Sequence, residues 1–385
     1  MRICGIICEF NPFHNGHKYF LEQAKQLSGC DKVLCIMSGS FTQRGDIAVL
    51  DKTIRARHAV LSGADCVIEL PVAFSVAPAE IFAKGAIKVL SSIPEVCYLA
   101  FGCENDDRQE YLKAAQKLLN ESEQFKILLN KNLDAGNSYI KSYCEAFKSV
   151  GGNVDLLEKP NNILGLEYTK AILSANCNIE ILPIKRKGAN FNDSELKSDF
   201  SSASAIRENV TSPLIKDNVP EFVYNDLNNA TDTEKFKWQV RYDLVRANPE
   251  HLKGIFGCSE GLENRLISVA KSCDYDGILK ECTTKRYSQS RIMRIMCANL
   301  LGVYENDSKS FINSELYIKP LAVKKECADD ILSALSRSKS PVITRGRDKE
   351  NLSFVGKKCF ELDAKAYSIY SLLSGIPNKD NLIII

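Results

Sequence analysis

Short apolar runs alternate with helical patterns through the first half of the chain. Each run is rich in β-forming residues and is bounded by turn residues, which is typical of a buried strand. The runs predict five strands, at residues 3–8, 32–37, 65–71, 96–101 and 179–184. Because helical spacing separates successive runs, we predict an α/β fold with a doubly wound parallel sheet and right-handed crossovers.

Beyond about residue 212 the strand patterns nearly vanish, and helical patterns take their place. These patterns cover residues 234–246, 260–272, 289–301, 322–335 and 364–373. The second half of the chain is therefore predicted to be mostly α-helical.

The change of pattern near Pro213 suggests a domain boundary. We predict an α/β domain over residues 1–212 and a mostly α-helical domain over residues 213–385. Within the first domain, the charged stretch 107–150 has a helical pattern without strands, and we interpret it as a helical insertion.

Composition and charge indicate the class of protein and the cellular compartment. The chain of 385 residues has a formal net charge of +2 and 25% charged residues, which are ordinary values for a globular protein. Apolar runs long enough to span a membrane are not found in the sequence. Fifteen irregularly spaced cysteines, and a first strand that starts at Ile3, favour a reducing cytoplasm and no targeting segment. No Cys-x-x-Cys occurs, and no metal site is predicted.

The most informative segment follows the first strand. Asn11-Pro12 ends the strand and a helical pattern starts near His17, so His14-Asn15-Gly16-His17 lies at a helix N-terminus. Free backbone N–H groups and the helix dipole favour phosphate at such a place. Gly16 allows close approach of a ligand, and the two imidazoles offer hydrogen bonds to phosphate oxygens. An alternative is that the two histidines only cap the helix.

Other polar groups also follow predicted strands or open helices. They are the loop 38–46, Gly102, the Asn161-Asn162 turn, Lys185-Arg186 and the helix start at residues 201–207. In open α/β sheets, ligands bind at the carboxyl ends of the strands. The set offers amide, hydroxyl and guanidinium groups but no nucleophile–base pair. It therefore favours binding of a nucleoside triphosphate over covalent catalysis.

Two segments of the second half are locally basic. The first spans residues 285–294, which include four cations and Tyr287 but no acidic residue, and the second spans residues 336–349. Clustered cations beside an aromatic ring suit the phosphate backbone and unpaired bases of RNA. A solvated helix face explains the charges equally well.

The chain resembles the His-x-Gly-His nucleotidyltransferases, and over nearly its full length it resembles one family, the bacterial tRNA(Met) cytidine acetate ligases. The motifs that carry the resemblance are residues 8–17, 37–45, 51–52, 67–71, 101–102, 160–165, 184–186, 202–207, 285–287 and 291–292. Two places depart from the usual family pattern. Ser40 stands where the family usually has Asn, and residues 188–193 replace a stretch that usually carries Tyr-His.

The resemblance implies a Rossmann-like nucleotidyltransferase that uses ATP, with Mg²⁺, to activate acetate as acetyl-adenylate. It also implies transfer of the acetyl group to N4 of the wobble cytidine in elongator tRNA(Met), which gives N4-acetylcytidine. A cytoplasmic enzyme with no membrane and no obligate protein partner is expected.

The resemblance also implies roles for individual residues. The expected catalytic residues are His14, His17 and Arg186. The expected nucleotide-binding residues are Ile7, Cys8, Glu9, Phe10, Asn11, Pro12, Phe13, His14, Asn15, Gly16, His17, Lys18, Tyr19, Phe20, Gly102, Asn161, Asn162, Arg186, Ser204 and Arg207. The expected tRNA-binding residues are Lys285, Arg286, Tyr287, Arg291 and Arg294. The motif alone does not decide whether Asn161 or Asn162 faces the nucleotide.

Two other functions are compatible with the same motifs. One is an adenylyltransferase that acts on a small phosphorylated acceptor, although such enzymes are usually single compact domains. The other is a non-catalytic RNA-binding protein that keeps a nucleotide fold, but intact His-x-Gly-His and Ser204-x-x-Arg207 signatures argue against it. Salt-sensitive tRNA binding together with tRNA-dependent ATP consumption is expected for the ligase alone.

Overall fold

The structure, a computed structural model, describes residues 1–186 and 201–385, so the departure at residues 188–193 lies outside the described residues. Its strands are β1 (Ile3–Cys8), β2 (Lys32–Ser38), β3 (Cys66–Leu70), β4 (Val96–Cys103), β5 (Glu180–Lys185), β6 (Pro320–Val323) and β7 (Ile383–Ile384). They form one sheet in the order β5-β4-β1-β2-β3-β6-β7.

The first five strands confirm the parallel sheet that the sequence predicts. β1 is central and pairs in parallel with β2 on one side and with β4 on the other. β3 and β5 extend the sheet at its two sides, again in parallel. Every residue of β3 is buried, as expected for a strand that helices cover on both faces.

Two strands come from the second half of the chain. β6 pairs antiparallel with β3, and β7 pairs in parallel with β6. The sequence patterns did not predict these strands, and the helix expected over residues 322–335 begins only at Ala328. The four buried residues of β6 are too short a run to give a strand pattern, and their partner lies far away in the sequence.

Helices cover both faces of the sheet and form most of the second half, as predicted. Up to residue 212 the helices are α1 (Asn15–Ser28), α2 (Lys52–Leu61), α3 (Val72–Ser75), α4 (Ala79–Ser91), α5 (Arg108–Leu119), α6 (Glu123–Asp134), α7 (Tyr139–Ser149), α8 (Asp155–Glu158), α9 (Pro160–Ala175) and α10 (Ala203–Glu208). The later helices are α11 (Glu221–Asp226), α12 (Thr233–Arg246), α13 (Pro249–Lys253), α14 (Leu262–Ala270), α15 (Tyr275–Cys282), α16 (Gln289–Leu301), α17 (Glu305–Asn313), α18 (Ala328–Ser336) and α19 (Phe354–Ser374). Short 3₁₀ turns lie at Pro213–Asp217, Leu227–Asn229, Lys325–Cys327 and Gly346–Asn351. Among the described helices, none has the length and apolar character needed to cross a membrane.

The stretch 107–150 forms the three helices α5, α6 and α7. The side chains of Asp107, Ser122 and Ser138 accept hydrogen bonds from N–H groups of the first turns, which explains where these helices begin. Phe125 and Phe147 are buried in this segment and belong to the same apolar core as the sheet.

A buried ionic network ties the second half to the sheet. Lys52 Nζ, at the start of α2, lies 2.8 Å from Glu69 Oε2 of β3 and 2.9 Å from Asp380 Oδ1. Lys319 Nζ, beside β6, lies 2.8 Å from Glu69 Oε2 and also contacts Asp380. The Lys52 side chain is fully buried, and its Nζ lies 4.2 Å from the centroid of the Tyr367 ring. Two cations and two carboxylates thus compensate one another, and of the four only Asp380 is partly exposed.

Candidate active site

A cavity of about 240 Å³ opens at the carboxyl ends of β1, β4 and β5. This is the edge of the sheet where the sequence predicts a ligand. The predicted nucleotide-binding residues that line the cavity are Ile7, Cys8, Glu9, Phe10, Asn11, His14, Gly16, His17, Tyr19, Phe20, Gly102, Asn161, Arg186, Ser204 and Arg207. The predicted residues that do not line it are Pro12, Phe13, Asn15, Lys18 and Asn162.

Three of these residues outside the lining have other surroundings. Phe13 is fully buried, and its ring meets Phe10 edge-on at 4.9 Å between centroids. The side-chain amide of Asn15 donates to the carbonyl oxygen of Asp217 at 2.8 Å. Lys18 is exposed to solvent. Phe13 and Asn15 therefore stabilise the loop between β1 and α1 through contacts outside the cavity.

The loop between β1 and α1 is fixed by contacts from distant segments. Asn11 Oδ1 accepts a hydrogen bond from Val49 N–H at 2.8 Å, and Arg207 Nη1 donates to the carbonyl oxygen of Asn11 at 2.7 Å. Phe10 has a φ of 47°, in the left-handed region that non-glycine residues seldom adopt. Such conformations persist where the surrounding structure imposes them, and they cluster at functional sites.

His14 and His17 form a capping box at the start of α1. His14 Nδ1 accepts a hydrogen bond from Gly16 N–H at 3.1 Å, and His17 Nδ1 accepts one from His14 N–H at 3.3 Å. A ring nitrogen that accepts a backbone N–H carries no proton, so each neutral ring has its proton on Nε2. The rings stack with centroids 3.6 Å apart. The histidines therefore cap the helix and also present two Nε2–H donors at the cavity.

Both imidazoles are neutral in the free protein. Burial, with Arg186 and Arg207 nearby, lowers the pKa of His14 to about 3. Burial, with His14 and Arg186 nearby, lowers the pKa of His17 well below its ordinary value. Protonation of either ring would thus require strongly acidic solution, and at neutral pH both act as uncharged hydrogen-bond donors.

Arg186 and Arg207 are two of the cations in the cavity lining, which also includes Arg44 and Lys185. Burial lowers the pKa of Arg186 and of Arg207, but an arginine stays protonated at neutral pH. Arg186 packs beside Gly102, where a Cβ would lie 3.4 Å from Arg186 Cγ. Arg207 Nη2 donates to Ser204 Oγ at 3.0 Å. The Ser-x-x-Arg signature is therefore joined by a hydrogen bond within one helical turn.

Asn161 and Asn162, which the motif leaves as alternatives for contact with the nucleotide, have different surroundings in the structure. Asn162 Oδ1 accepts hydrogen bonds from Glu104 N–H, Asn105 N–H and Tyr111 OH, at 2.9, 3.1 and 3.0 Å. Asn161 lines the cavity, and its Nδ2 donates to Glu104 Oε1 at 2.7 Å. Asn161 is thus placed to contact a ligand, while Asn162 holds the chain after β4.

Arg55, which the sequence did not single out, joins two loops of the site. It is fully buried on α2, and its guanidinium donates to the carbonyl oxygens of Glu9, Ser38, Gly39 and Leu50. Because Glu9 follows β1 and Gly39 follows β2, one side chain connects the ends of two central strands. Its partners are backbone carbonyls, and backbone carbonyls leave no signal in a sequence.

The loop after β2 also lines the cavity, in agreement with its place among the polar groups expected at this edge, although no single residue of it was predicted to bind the nucleotide. Thr42, Gln43, Arg44 and Asp46 contribute to the wall. Gln43 N–H donates to Glu9 Oε1 at 2.6 Å, which joins this loop to the end of β1. The motif at residues 37–45 was the available signal. In residues 1–186 and 201–385, no group of three or more His, Cys, Asp or Glu side chains is arranged to hold a metal ion.

A second cavity of about 1180 Å³ adjoins the first. The residues that line both are Gln43, Arg44, Asp46, Leu164, Ser204 and Arg207. The second half of the chain contributes the charged residues Asp232, Glu234, Lys237 and Arg294 to its lining. Burial lowers the pKa of Arg294 to about 10, so this predicted tRNA contact remains a cation at neutral pH.

The other residues predicted to contact tRNA lie at or just before the start of α16. Lys285 and Arg286 are exposed, and Arg286 Nη2 lies 2.6 Å from Glu260 Oε2. Tyr287 is only 9% exposed, and its OH donates to Glu260 Oε2 at 3.0 Å. The Arg291 guanidinium lies 5.0 Å from the centroid of the Tyr287 ring. The tyrosine ring is thus occupied by contacts within the protein.

Gly45 lies where the loop after β2 meets α16. Its φ is +85°, and a Cβ on it would lie 2.6 Å from the backbone N of Arg294 and the backbone C of Met293. We expect Gly45→Ala to lower the free energy of unfolding by more than about 2 kcal/mol, because it adds a left-handed alanine and separates the loop from the helix. Chemical unfolding followed by circular dichroism measures the change.

The matched control is Gly136→Ala. Gly136 has a similar φ of +80°, but apart from its chain neighbours no described residue has an atom within 4 Å of the added Cβ. Its substitution should cost only the backbone strain, on the order of 1 kcal/mol. Equal losses in the two variants would contradict a tight contact between the loop and α16.

Comparison with known proteins agrees with this geometry. Residues 1–382 match the family model described as HIGH Nucleotidyl Transferase. A tRNA(Met) cytidine acetate ligase of Clostridium perfringens is 35% identical over 97% of this chain and 96% of its own length. One from Thermoanaerobacter sp. is 36% identical over 97% of this chain and 95% of its own length.

Solved structures give the same result for the fold. Thermotoga maritima TmcAL, in an apo form, superposes with a TM-score of 0.92 at 28% identity and covers 100% of both chains. The same protein bound with alpha-thio ATP superposes with a TM-score of 0.89, again over 100% of both chains. The similarity therefore includes the second half as well as the sheet.

Proposed function

Because the chain belongs to the tRNA(Met) cytidine acetate ligase family of HIGH nucleotidyl transferases, we propose that it is an ATP-dependent ligase. It forms acetyl-adenylate and transfers the acetyl group to N4 of the wobble cytidine of elongator tRNA(Met), giving N4-acetylcytidine. The observation that carries the proposal is the cavity in which His14, His17 and Arg186 meet at the N-terminus of α1.

In the first step, an oxygen of acetate attacks the α-phosphorus of ATP and pyrophosphate leaves. The Nε2–H groups of His14 and His17 donate to phosphate oxygens, and Arg186 and Arg207 offset the charge that develops on them. Mg²⁺ entering with ATP would supply further positive charge at this step. Alignment and charge stabilisation are sufficient for this displacement, so no protein nucleophile is required.

In the second step, residues 213–385 hold the tRNA while residues 1–212 hold the adenylate. Lys285, Arg286, Arg291 and Arg294 are proposed to contact tRNA phosphates, with Tyr287 packed against Arg291. An anticodon loop offers unpaired bases, so presenting one base to the adenylate requires little unstacking.

All fifteen cysteines lie in the described residues and are free thiols, which supports a cytoplasmic location.

The test is incubation of the protein with ATP, Mg²⁺, labelled acetate and tRNA, followed by digestion of the tRNA to nucleosides. We expect label in N4-acetylcytidine when elongator tRNA(Met) is present and none with initiator tRNA. Formation of AMP without label in tRNA would identify a different acceptor. Absence of acetate-dependent AMP would contradict the enzymatic proposal.

A further inference from the structure

The two adjoining cavities meet at one carboxylate. Among the described residues that line both cavities, Asp46 is the sole acidic side chain. The other carboxylate of the first cavity, Glu9, accepts the Gln43 N–H at 2.6 Å and so holds the loop in place. Any group that reacts at the junction of the cavities does so close to Asp46.

A tight turn fixes the position of Asp46. Its carbonyl oxygen accepts a hydrogen bond from Thr42 N–H at 2.9 Å, and Gly45 N–H donates to the carbonyl oxygen of Thr42 at 2.9 Å. Phe41 and Ile47 form an antiparallel bridge at the base of this turn. With Gly45 set against α16, the backbone around Asp46 is held from both halves of the chain.

The second cavity has room for an unpaired nucleotide, and its lining carries both signs of charge: Arg44, Arg207, Lys237 and Arg294 with Asp46, Glu208, Asp232 and Glu234. Its volume of about 1180 Å³ exceeds the roughly 300–1,000 Å³ typical of small-molecule pockets. Arg294 lines this cavity and can contact a phosphate beside a flipped base, while Lys237, also in the lining, has its Nζ 3.0 Å from Glu234 Oε1.

We propose that the second cavity receives the acceptor nucleoside and that the Asp46 carboxylate accepts the proton of its amine; this inference rests on the proposed function. The amine lone pair forms a bond to the acetyl carbon. The bond between that carbon and the adenylate oxygen breaks, and AMP leaves with its electron pair. The amine proton moves to Asp46, so atoms and charge balance without a further reactant.

The surroundings of Asp46 suit this role. The charged and titratable groups that face it are Glu9, Arg44, Arg207, Lys237, Tyr275 and Cys297. Burial, opposed by Arg207 and Arg44, raises the pKa of Asp46 above its ordinary value. A carboxylate with a raised pKa holds a proton more firmly and is a better general base near neutral pH.

The experiment separates the two half-reactions in Asp46→Asn, using the full chain. Acetate-dependent exchange of pyrophosphate into ATP measures adenylation, and acetyl-adenylate supplied with elongator tRNA(Met) measures transfer. We expect transfer to fall about 100- to 10,000-fold and exchange to fall far less, since Asp46 also borders the nucleotide cavity. The parent transfer rate should fall as Asp46 becomes protonated in acid, and the variant should lack this decline.

Two further variants complete the design. Asp46→Glu keeps the carboxylate and should restore part of the transfer rate. Asp243→Asn is the matched control, because Asp243 is also partly buried with a pKa raised by burial, and it lines neither cavity. Unchanged transfer in Asp46→Asn, or equal loss of both half-reactions, would overturn the assignment. Failure of the proposed function itself would show in the parent protein, as absence of transfer to any tRNA.

Discussion

Replacing His17 with alanine is expected to lower acetate-dependent AMP formation about 100- to 1,000-fold and to leave tRNA affinity within about twofold. The reason is the geometry of its ring. Nδ1 is occupied by His14 N–H at 3.3 Å, so Nε2–H is the group available to phosphate. Pyrophosphate exchange measures the first quantity, and filter binding of labelled tRNA measures the second.

Alanine also removes the cap that His17 provides, at a cost of about 1 kcal/mol. His17→Asn distinguishes capping from catalysis, because its side-chain oxygen accepts a backbone N–H but cannot place a donor where Nε2–H stands. It should fold like the parent protein and still fail in exchange. His251→Ala is the control for loss of an imidazole, since His251 lines neither cavity. Near-normal exchange in His17→Asn would show that this histidine only caps the helix.

The pH profile of adenylation gives an independent check. Because the pKa values of His14 and His17 are lowered, both rings are already neutral above the ordinary imidazole pKa of about 6.5 and remain neutral well below it. The value of kcat/KM for ATP reports ionisations of the free enzyme. We therefore expect that any decline of kcat/KM near pH 6.5 in the parent protein is also present in His17→Asn. The contrary result is a decline in the parent protein that His17→Asn lacks. Such a decline would mean that a charged imidazole takes part.

Replacing Lys52 with methionine is expected to lower the free energy of unfolding by about 3–5 kcal/mol. The side chain is fully buried, and it compensates Glu69 at 2.8 Å and Asp380 at 2.9 Å. Without it, the buried Glu69 and the partly exposed Asp380 share Lys319, and an unpaired buried charge is far more costly than an unpaired surface charge. The midpoint of urea unfolding, at constant slope, measures the effect.

Lys84→Met provides the matched comparison. Lys84 Nζ lies 2.7 Å from Glu80 Oε1, as short as the contacts of Lys52, but the two side chains are 43% and 54% exposed. Exposed pairs of this kind contribute about 0–1 kcal/mol, so this variant should unfold almost like the parent. A similar small change in Lys52→Met would indicate that water reaches the interior network.

The parallel strands and the histidine loop could be predicted from the sequence because their signals are local. A strand buried on both faces is a nearly continuous apolar run, and β1, β2 and β3 are such runs. The position of His14 and His17 at a helix start follows from a turn signal and from the change of apolar spacing from strand to helix, both within about ten residues. The predicted cavity residues cluster as expected because parallel strands end at one edge.

What could not be predicted depends on partners that are distant in the sequence. Arg55 binds carbonyl oxygens, and Asp46 matters because two cavities meet there, so neither role is visible in residue types. The sequence around Tyr287 does not show whether its ring is free to stack on a base. In the structure the ring is largely buried and lies against Arg291. β6 is only four residues long, and its strand conformation depends on pairing with β3.

The pairing of β6 with β3 has a consequence for the timing of synthesis. About 250 residues separate these neighbours, and at about 5–20 residues per second a ribosome needs roughly 10–50 s to make them. Throughout that interval the backbone N–H and C=O groups on one side of β3 have no strand to pair with. An unpaired, apolar strand edge is a template for association with other chains. The nascent enzyme is therefore most prone to aggregate in the interval after β3 has been made and before β6 can pair with it.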